Sequence, residues 1–287
     1  MTTTTATPTS TAGAARRTRS SGGVSFLRVV HSEWIKFRSI RSTPWTLGFT
    51  LLSMVGIAVL AAWGNSSFDE GQGAMSALDS VQILTAGWFI AEITVVVLAV
   101  LTVSGEYSTG MIRSSMTAVP RRVPVILAKA LVVAVASAVT TLLALALAWL
   151  AVQPWADSLG LTLELDDPDV LRILLGTPLV LATIALLALA VGALLRHPAA
   201  ALATVLGVLL VLENVLRLLP FTVVQKISVF MPASAGTRLL TAPDALAAAN
   251  ADPVTPDLSA WQGYGVLAIW VVALLTLALV LLRRRDV

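Results

Sequence analysis

Apolar residues along the chain gather into six runs of about twenty, the length an α-helix needs to cross a hydrocarbon core of ~30 Å. The runs cover Trp45–Trp63, Leu84–Ser104, Pro124–Val152, Ile173–Leu195, Ala199–Leu219 and Gln262–Leu282. Pro124–Val152 is long for one crossing, which predicts tilt or an extension past the core. The segments between the runs, 64–83, 105–123, 153–172, 196–198 and 220–261, show no pattern of a sizeable soluble domain.

Ahead of the first run the pattern changes twice. Residues 1–23 are mostly Thr, Ser, Ala, Gly and Arg without an apolar run. Such a segment buries too little surface to order itself and reads as a disordered cytosolic tail. Arg16, Arg17 and Arg19 have no directly following apolar segment and cleavage site, so they do not open a signal peptide. From residue 24 to 43, Leu27, Val30, Trp34 and Phe37 recur at helical spacing, with Arg28, Ser32, Lys36 and Arg38 on other faces. This predicts a basic amphipathic helix flat on the membrane, with Trp34 at headgroup level and Lys36, Arg38 and Arg41 toward lipid phosphates. The alternative is a polar approach to the first span. Residues 44–287 then form one six-helix membrane domain.

Composition supports a membrane protein. The chain is 57% hydrophobic and 12% charged, with mean hydropathy +0.87, against roughly 25% charged in soluble domains. Basic residues fix the orientation. One side collects the N-terminal arginines, Lys36, Arg113, Arg121, Arg122, Lys129, Arg196 and Arg283–Arg285. The other holds Arg172, Arg217, Lys226 and Arg238, together with the acidic residues from Asp69 to Asp79 and from Asp157 to Asp169. The basic side is cytosolic, which places both termini in the cytosol. Trp63, Trp88, Trp149, Trp155 and Trp261 then form an outer aromatic belt. The prediction is an all-α, multi-pass protein of a bacterial plasma membrane, with the lipid bilayer as a partner and no nucleic acid.

Candidate chemistry is sparse. The chain has no cysteine, which excludes disulfides, thiolate metal sites and cysteine nucleophiles. Its lysines follow Ile35, Ala128 and Gln225, so no Gly-Lys end of a P-loop exists. His31 and His197 are too far apart for a recognisable metal site, and no nucleophile elbow is present. No catalytic residue, resident metal or cofactor is expected. The informative stretch is 105–122 on the cytosolic side, with Glu106 and Tyr107 at its start and Arg113, Pro120, Arg121 and Arg122 after them. Glu106 near a helix N-terminus there would suit the helix dipole. A rigid element between two spans can carry a push from a soluble partner; the alternative is an ordinary positive-inside loop.

Three stretches carry a resemblance. Glu33-Trp34-x-Lys36-x-Arg38-Ser39-x-Arg41-Ser42 resembles the start of ABC-2 type transporter permeases. So does Gly105-Glu106-Tyr107-Ser108-x-Gly110-x-Ile112-Arg113 followed by Pro120-Arg121-Arg122. Pro232-x-Ser234-Ala235-Gly236 in the last outer segment is similar to the same family. The likeness covers about residues 25 to 285, and its second motif is the most specific. It implies the ABC-2, type V exporter-like permease fold and an exporter of two permeases, here a homodimer, with two separate ABC ATPase subunits that bind ATP–Mg. By the same likeness 24–43 would be the connecting or elbow helix, 105–122 would hold the coupling helix, and 220–261 would include short re-entrant helices. The family moves drugs, peptides, lipids and glycans, which leaves the cargo class open.

Glu92, Glu213 and Arg217 are charges that lie within the runs. Glu92, near the middle of the second, costs ~2.5–3.5 kcal/mol at bilayer depth and must face protein or a water-filled cavity. It lines the transport pathway or makes a structural hydrogen bond. Glu213 and Arg217, four apart, suit a local ion pair or an outer-gate latch. Two other classes compete with the exporter reading. One is an ion-coupled secondary transporter using Glu92, although no clear inverted repeat is visible. The other is a membrane scaffold, which the polar residues Glu92, Thr94, Thr102 and Ser104 oppose.

Overall fold

The computed structural model describes residues 25–68, 75–108, 122–251 and 256–284. The N-terminal tail, most of the 105–122 segment with Arg113, Pro120 and Arg121, and the Arg122 side chain therefore lie outside the described residues. Helix α1 (Phe26–Ser39) lies before α2 (Ser42–Phe68), the first span. Helices α3 (Ala77–Thr85) and α4 (Trp88–Ser108) make the second, and α5 (Arg122–Val152) the third. After a 3₁₀ turn and α6 (Ala156–Leu159), α7 (Pro168–Leu195) is the fourth. The fifth runs through α8 (Pro198–Leu206), a π-helical turn at Gly207–Leu212 and α9 (Glu213–Leu218). Helices α10 (Thr222–Ser228), α11 (Pro232–Thr237) and α12 (Pro243–Asn250) precede the sixth span, α13 (Ala260–Arg284). All six are long and apolar enough to cross a membrane.

The layers follow from burial. Most of α4 and α7 is inside, while α2, the fifth span and α13 keep most of their apolar surface outward. Small residues set the closest approaches. A Cβ on Gly87 would lie 2.5 Å from the Met54 Cα, so the break between α3 and α4 is where the second span crosses the backbone of α2. Gly87→Val is expected to cost about 3 kcal/mol by overpacking, seen as a lower unfolding temperature in detergent. An unchanged transition would contradict the close crossing. The hydroxyls of Thr94, Thr102 and Ser104 bond the carbonyls of Ala91, Leu98 and Val100 at 2.6–2.8 Å. These three hydroxyls are thus satisfied by backbone of their own helix, and they no longer argue for a cargo path.

The outer segment 220–261 folds back into the bundle. A Cβ on Gly236 of α11 would meet Leu267 of α13 at 2.8 Å and Val180 of α7 at 3.6 Å. Leu267 lies about 10 Å along α13 from Ala260 at 1.5 Å per residue, so α11 re-enters the membrane domain. Gly263 allows this contact, because a Cβ there would stand 2.5 Å from the Ala235 carbonyl oxygen. Arginines fasten the rest. Arg172 donates to the carbonyls of Leu239 and Thr241 at 2.7 and 3.1 Å, and to Asp169. Arg238 donates to Asn250 and to the Leu258 carbonyl at 2.7 and 2.6 Å.

Candidate functional site

Helix α1 packs one face against the protein and leaves Leu27 and Trp34 of its apolar stripe outward. Val29, Glu33 and Phe37, four residues apart, are its buried residues. Leu27 and Trp34 are exposed, and only Phe37 of the predicted stripe is fully covered. Arg38 and Arg41 are exposed as expected. Lys36 is not directed to lipid phosphates; its ammonium sits 2.6 Å from Glu33 Oε1 and 3.7 Å from Glu106 Oε1.

The reason is a buried charge cluster. Lys129, on the second turn of α5, places its ammonium 2.7 Å from Glu33 Oε2 and 2.9 Å from Glu106 Oε1. Glu33, Lys129 and Glu106 are 3%, 3% and 6% exposed. Two lysines and two carboxylates therefore offset one another where α1, the end of α4 and the start of α5 meet. Each buried charge needs such a partner, because desolvation costs several kcal/mol per ion. Val29 packs with Val125 and Ala128 of α5 beside the cluster, so the apolar contact and the ion pairs hold the same pair of helices.

Glu106 is also not where a coupling helix would start. It lies in the last turn of α4, an end whose dipole disfavours a carboxylate; Lys129 compensates. The next residue, Tyr107, faces the opposite neighbour. The guanidinium of Arg196 stands over its ring, 5.2 Å from the centroid, a cation–π distance. Arg196 holds a left-handed backbone, φ 55°, that ends α7 before the His197 turn. The residues entering the 105–122 segment thus bind α1 and α5 through one side chain and the α7–α8 turn through the next.

Glu33 also carries a pH signature. Burial pushes its carboxyl up; the Lys129 ammonium and then the Lys36 contact pull harder, leaving it below the usual carboxylate value. A carboxyl lowered on folding stabilises the fold above its unfolded value of ~4.3 and loses that contribution as pH falls through the folded value. Wild-type stability should therefore fall on acidification below pH ~4.3, and Glu33→Gln should flatten that limb. An identical acid limb in the variant would show that Glu33 does not titrate against the cluster.

On the other side of the membrane, Glu213 and Arg217 do not form the expected ion pair. Arg217 is exposed, whereas Glu213 is 2% exposed and turned into the bundle. Its carboxylate accepts from the Ala233 and Ser234 backbone N–H groups at 2.9 and 2.6 Å, and from the Ser234 hydroxyl at 2.7 Å. It caps α11, whose first N–H groups have no partner within their own helix. The π turn immediately before Glu213 shifts its register, and such turns concentrate where a helix side chain is re-aimed. Glu92 is 1% exposed, and its Oε1 has no hydrogen-bond partner among the described residues.

Sequence reasoning missed Glu33 and Lys129 as a pair. A lone lysine inside an apolar run is the signal that points to a buried carboxylate. It also missed Arg196 over Tyr107 and the capping role of Glu213. A family model described as ABC-2 family transporter protein matches residues 29–287. No curated protein matches the chain.

Proposed function

The chain belongs to the ABC-2 transporter family, and from that premise we propose that it is the permease of an exporter driven by a separate ATPase docking around residues 105–122. Membership makes it a multi-pass membrane component of an ABC transporter. The absence of a Gly-Lys P-loop end in its sequence gives nucleotide chemistry to a partner, which would bind ATP–Mg. The proposed assembly holds two copies of this chain and two ATPase subunits in a bacterial plasma membrane.

The observation that carries the reading is the cluster of Glu33, Lys36, Glu106 and Lys129. It fastens the ends of the two spans that flank 105–122 to the surface helix α1. A displacement of that segment by a docked ATPase therefore moves α4, α5 and α1 together. Through Tyr107 and Arg196 it also reaches the α7–α8 turn. On the outer side α11, held by Glu213, is the element that would answer as the gate. Glu92 is the interior group proposed to face the pathway.

The test is charge reversal. Arg121→Glu with Arg122→Glu should lower recovery of the ATPase with the tagged chain at least about tenfold, the loss of a complementary charged contact. The membrane domain should keep its unfolding temperature. Undiminished recovery would place the docking surface elsewhere.

A further inference from the structure

On the outer side, the end of α9, helix α10 and the turn after α11 contribute to a cavity of about 340 Å³ that nothing in the coupling role uses. Arg217, Gln225 and Arg238 line it, together with the hydroxyl residues Ser234, Thr237 and Thr241. No Asp or Glu is among its described lining residues. Arg217 lies in the last turn of α9, Gln225 in α10, and Arg238 opens the 3₁₀ turn after α11. Donors therefore reach the cavity from three separate elements. Its volume falls within the range of small-molecule sites, about 300–1,000 Å³.

These donors are open. Arg217 is exposed and makes no hydrogen bond or ion pair among the described residues. Glu213, one turn earlier, is taken up by Ala233 and Ser234. Arg238 spends Nη1 on Asn250 and the Leu258 carbonyl. Its Nε and Nη2 make no hydrogen bond among the described residues and are not buried atoms, so both keep contact with open space. The Gln225 side-chain amide makes none either. Thr237 and Thr241 give their hydroxyl hydrogens to the Ser234 and Thr237 carbonyls, so the donors left for a ligand are N–H groups. Burial pulls the Arg238 guanidinium below its usual value; Asp257 opposes this, and the Arg217 charge pulls it further down. Asp257 lines the neighbouring groove of α7, α12 and α13 and not this cavity. An anion held by both arginines would relieve their repulsion. A planar carboxylate turns its two oxygens to one side, whereas a tetrahedral phosphate offers oxygens to donors from three directions, and the guanidinium fork matches it.

We propose that this cavity is a binding site for a phosphate group, presented by a free phosphate compound or by the head group of an outer-leaflet anionic phospholipid. Arg217 and the Nε–Nη2 edge of Arg238 hold its oxygens, and the Gln225 amide is the third donor. A phosphate bound there ties the end of the fifth span to the turn after α11. The site needs neither the ATPase nor the cargo and stands independently of the exporter reading.

Two arms on the full chain test it and separate the sources. In the first, the unfolding temperature in a neutral detergent is followed as inorganic phosphate replaces chloride or acetate at constant ionic strength. A saturable rise with phosphate alone shows binding to the folded state and identifies a free compound. In the second, native mass spectrometry follows release from bilayers of equal phosphatidylglycerol and phosphatidylcholine. Retention of phosphatidylglycerol in about tenfold excess identifies the head group. Exposed Arg217 can be changed without disturbing the fold. Arg217→Gln should therefore keep the unfolding temperature in chloride and weaken whichever signal is seen at least about tenfold, the worth of one hydrogen bond to a charged group. Lys226→Gln, on the exposed side of α10 and outside the cavity lining, should leave that signal unchanged. Equal responses to phosphate, acetate and chloride together with equal lipid retention overturn the proposal. Equal losses from Lys226→Gln and Arg217→Gln would show diffuse attraction to a basic surface and equally overturn it.

Discussion

Replacing Lys129 with methionine is expected to destabilise the membrane domain by about 3–5 kcal/mol, the cost of removing one partner from a buried ion pair. The chain length and helix propensity barely change, so the loss is electrostatic. Glu33 keeps Lys36 at 2.6 Å, but among the described residues Glu106 retains only the same ammonium at 3.7 Å. The uncompensated charge is therefore mainly on Glu106. Adding Glu106→Gln to Lys129→Met should recover at least about 2 kcal/mol, since a neutral amide no longer needs a counterion. Unfolding temperatures of the two single variants and the double variant, in one detergent, complete the cycle. Additive losses would mean that Lys129 and Glu106 do not interact.

Glu213→Ala is the second large effect. It leaves the Ala233 and Ser234 N–H groups bare inside the bundle, at about 1–3 kcal/mol each, so a loss of about 3 kcal/mol or more is expected. Exposed Arg217 makes the contrast, because Arg217→Ala should change stability by no more than about 0.5 kcal/mol. The unequal pair separates a helix cap from the ion pair that spacing alone suggests. Limited proteolysis in the 220–261 segment gives a second readout, since losing the cap should release α11 and raise the cleavage rate. Equal effects of Glu213→Ala and Arg217→Ala would restore the ion-pair description.

The span count was legible because crossing a bilayer imposes a length, and that length is written in consecutive residues. Five of the six expected runs lie within spans of the structure, and the fifth passes the end of its span, Leu218, by one residue. Span interruptions were less legible. The break at Gly87 depends on the backbone of Met54, more than thirty positions earlier in the sequence, and nothing local announces it. The π turn before Glu213 leaves no mark in hydropathy, yet it turns the carboxylate inward, away from Arg217. The same limit applies at the cytosolic site. Spacing along α1 shows an apolar stripe, but Glu33 is buried because Lys129 stands on another helix. Glu106 read as the start of a coupling helix because a Gly precedes it; the structure continues α4 through it to Ser108. Local pattern found the elements, and the counterions that orient them came from elsewhere in the chain.

Several elements now have a physical connection to one another. A buried cluster joins the surface helix to both spans flanking 105–122. A cation–π contact joins Tyr107 to the α7–α8 turn. Long, largely buried α4 and α7 cross the membrane to the outer side, where Arg172 of α7 holds the Arg238–Leu240 turn through the Leu239 carbonyl. Packed elements thus run from the cytosolic face to the turn that follows α11.

The measurement that tests this account most directly is affinity purification of the tagged chain from its native membrane in mild detergent, with mass spectrometry and an ATPase assay on the product. The account predicts a co-purifying protein that contains a Walker A motif, with ATPase activity that falls when Lys129 or the 105–122 segment is altered. Recovery of the chain without such a protein, and without ATPase activity in any detergent that preserves its fold, would contradict it.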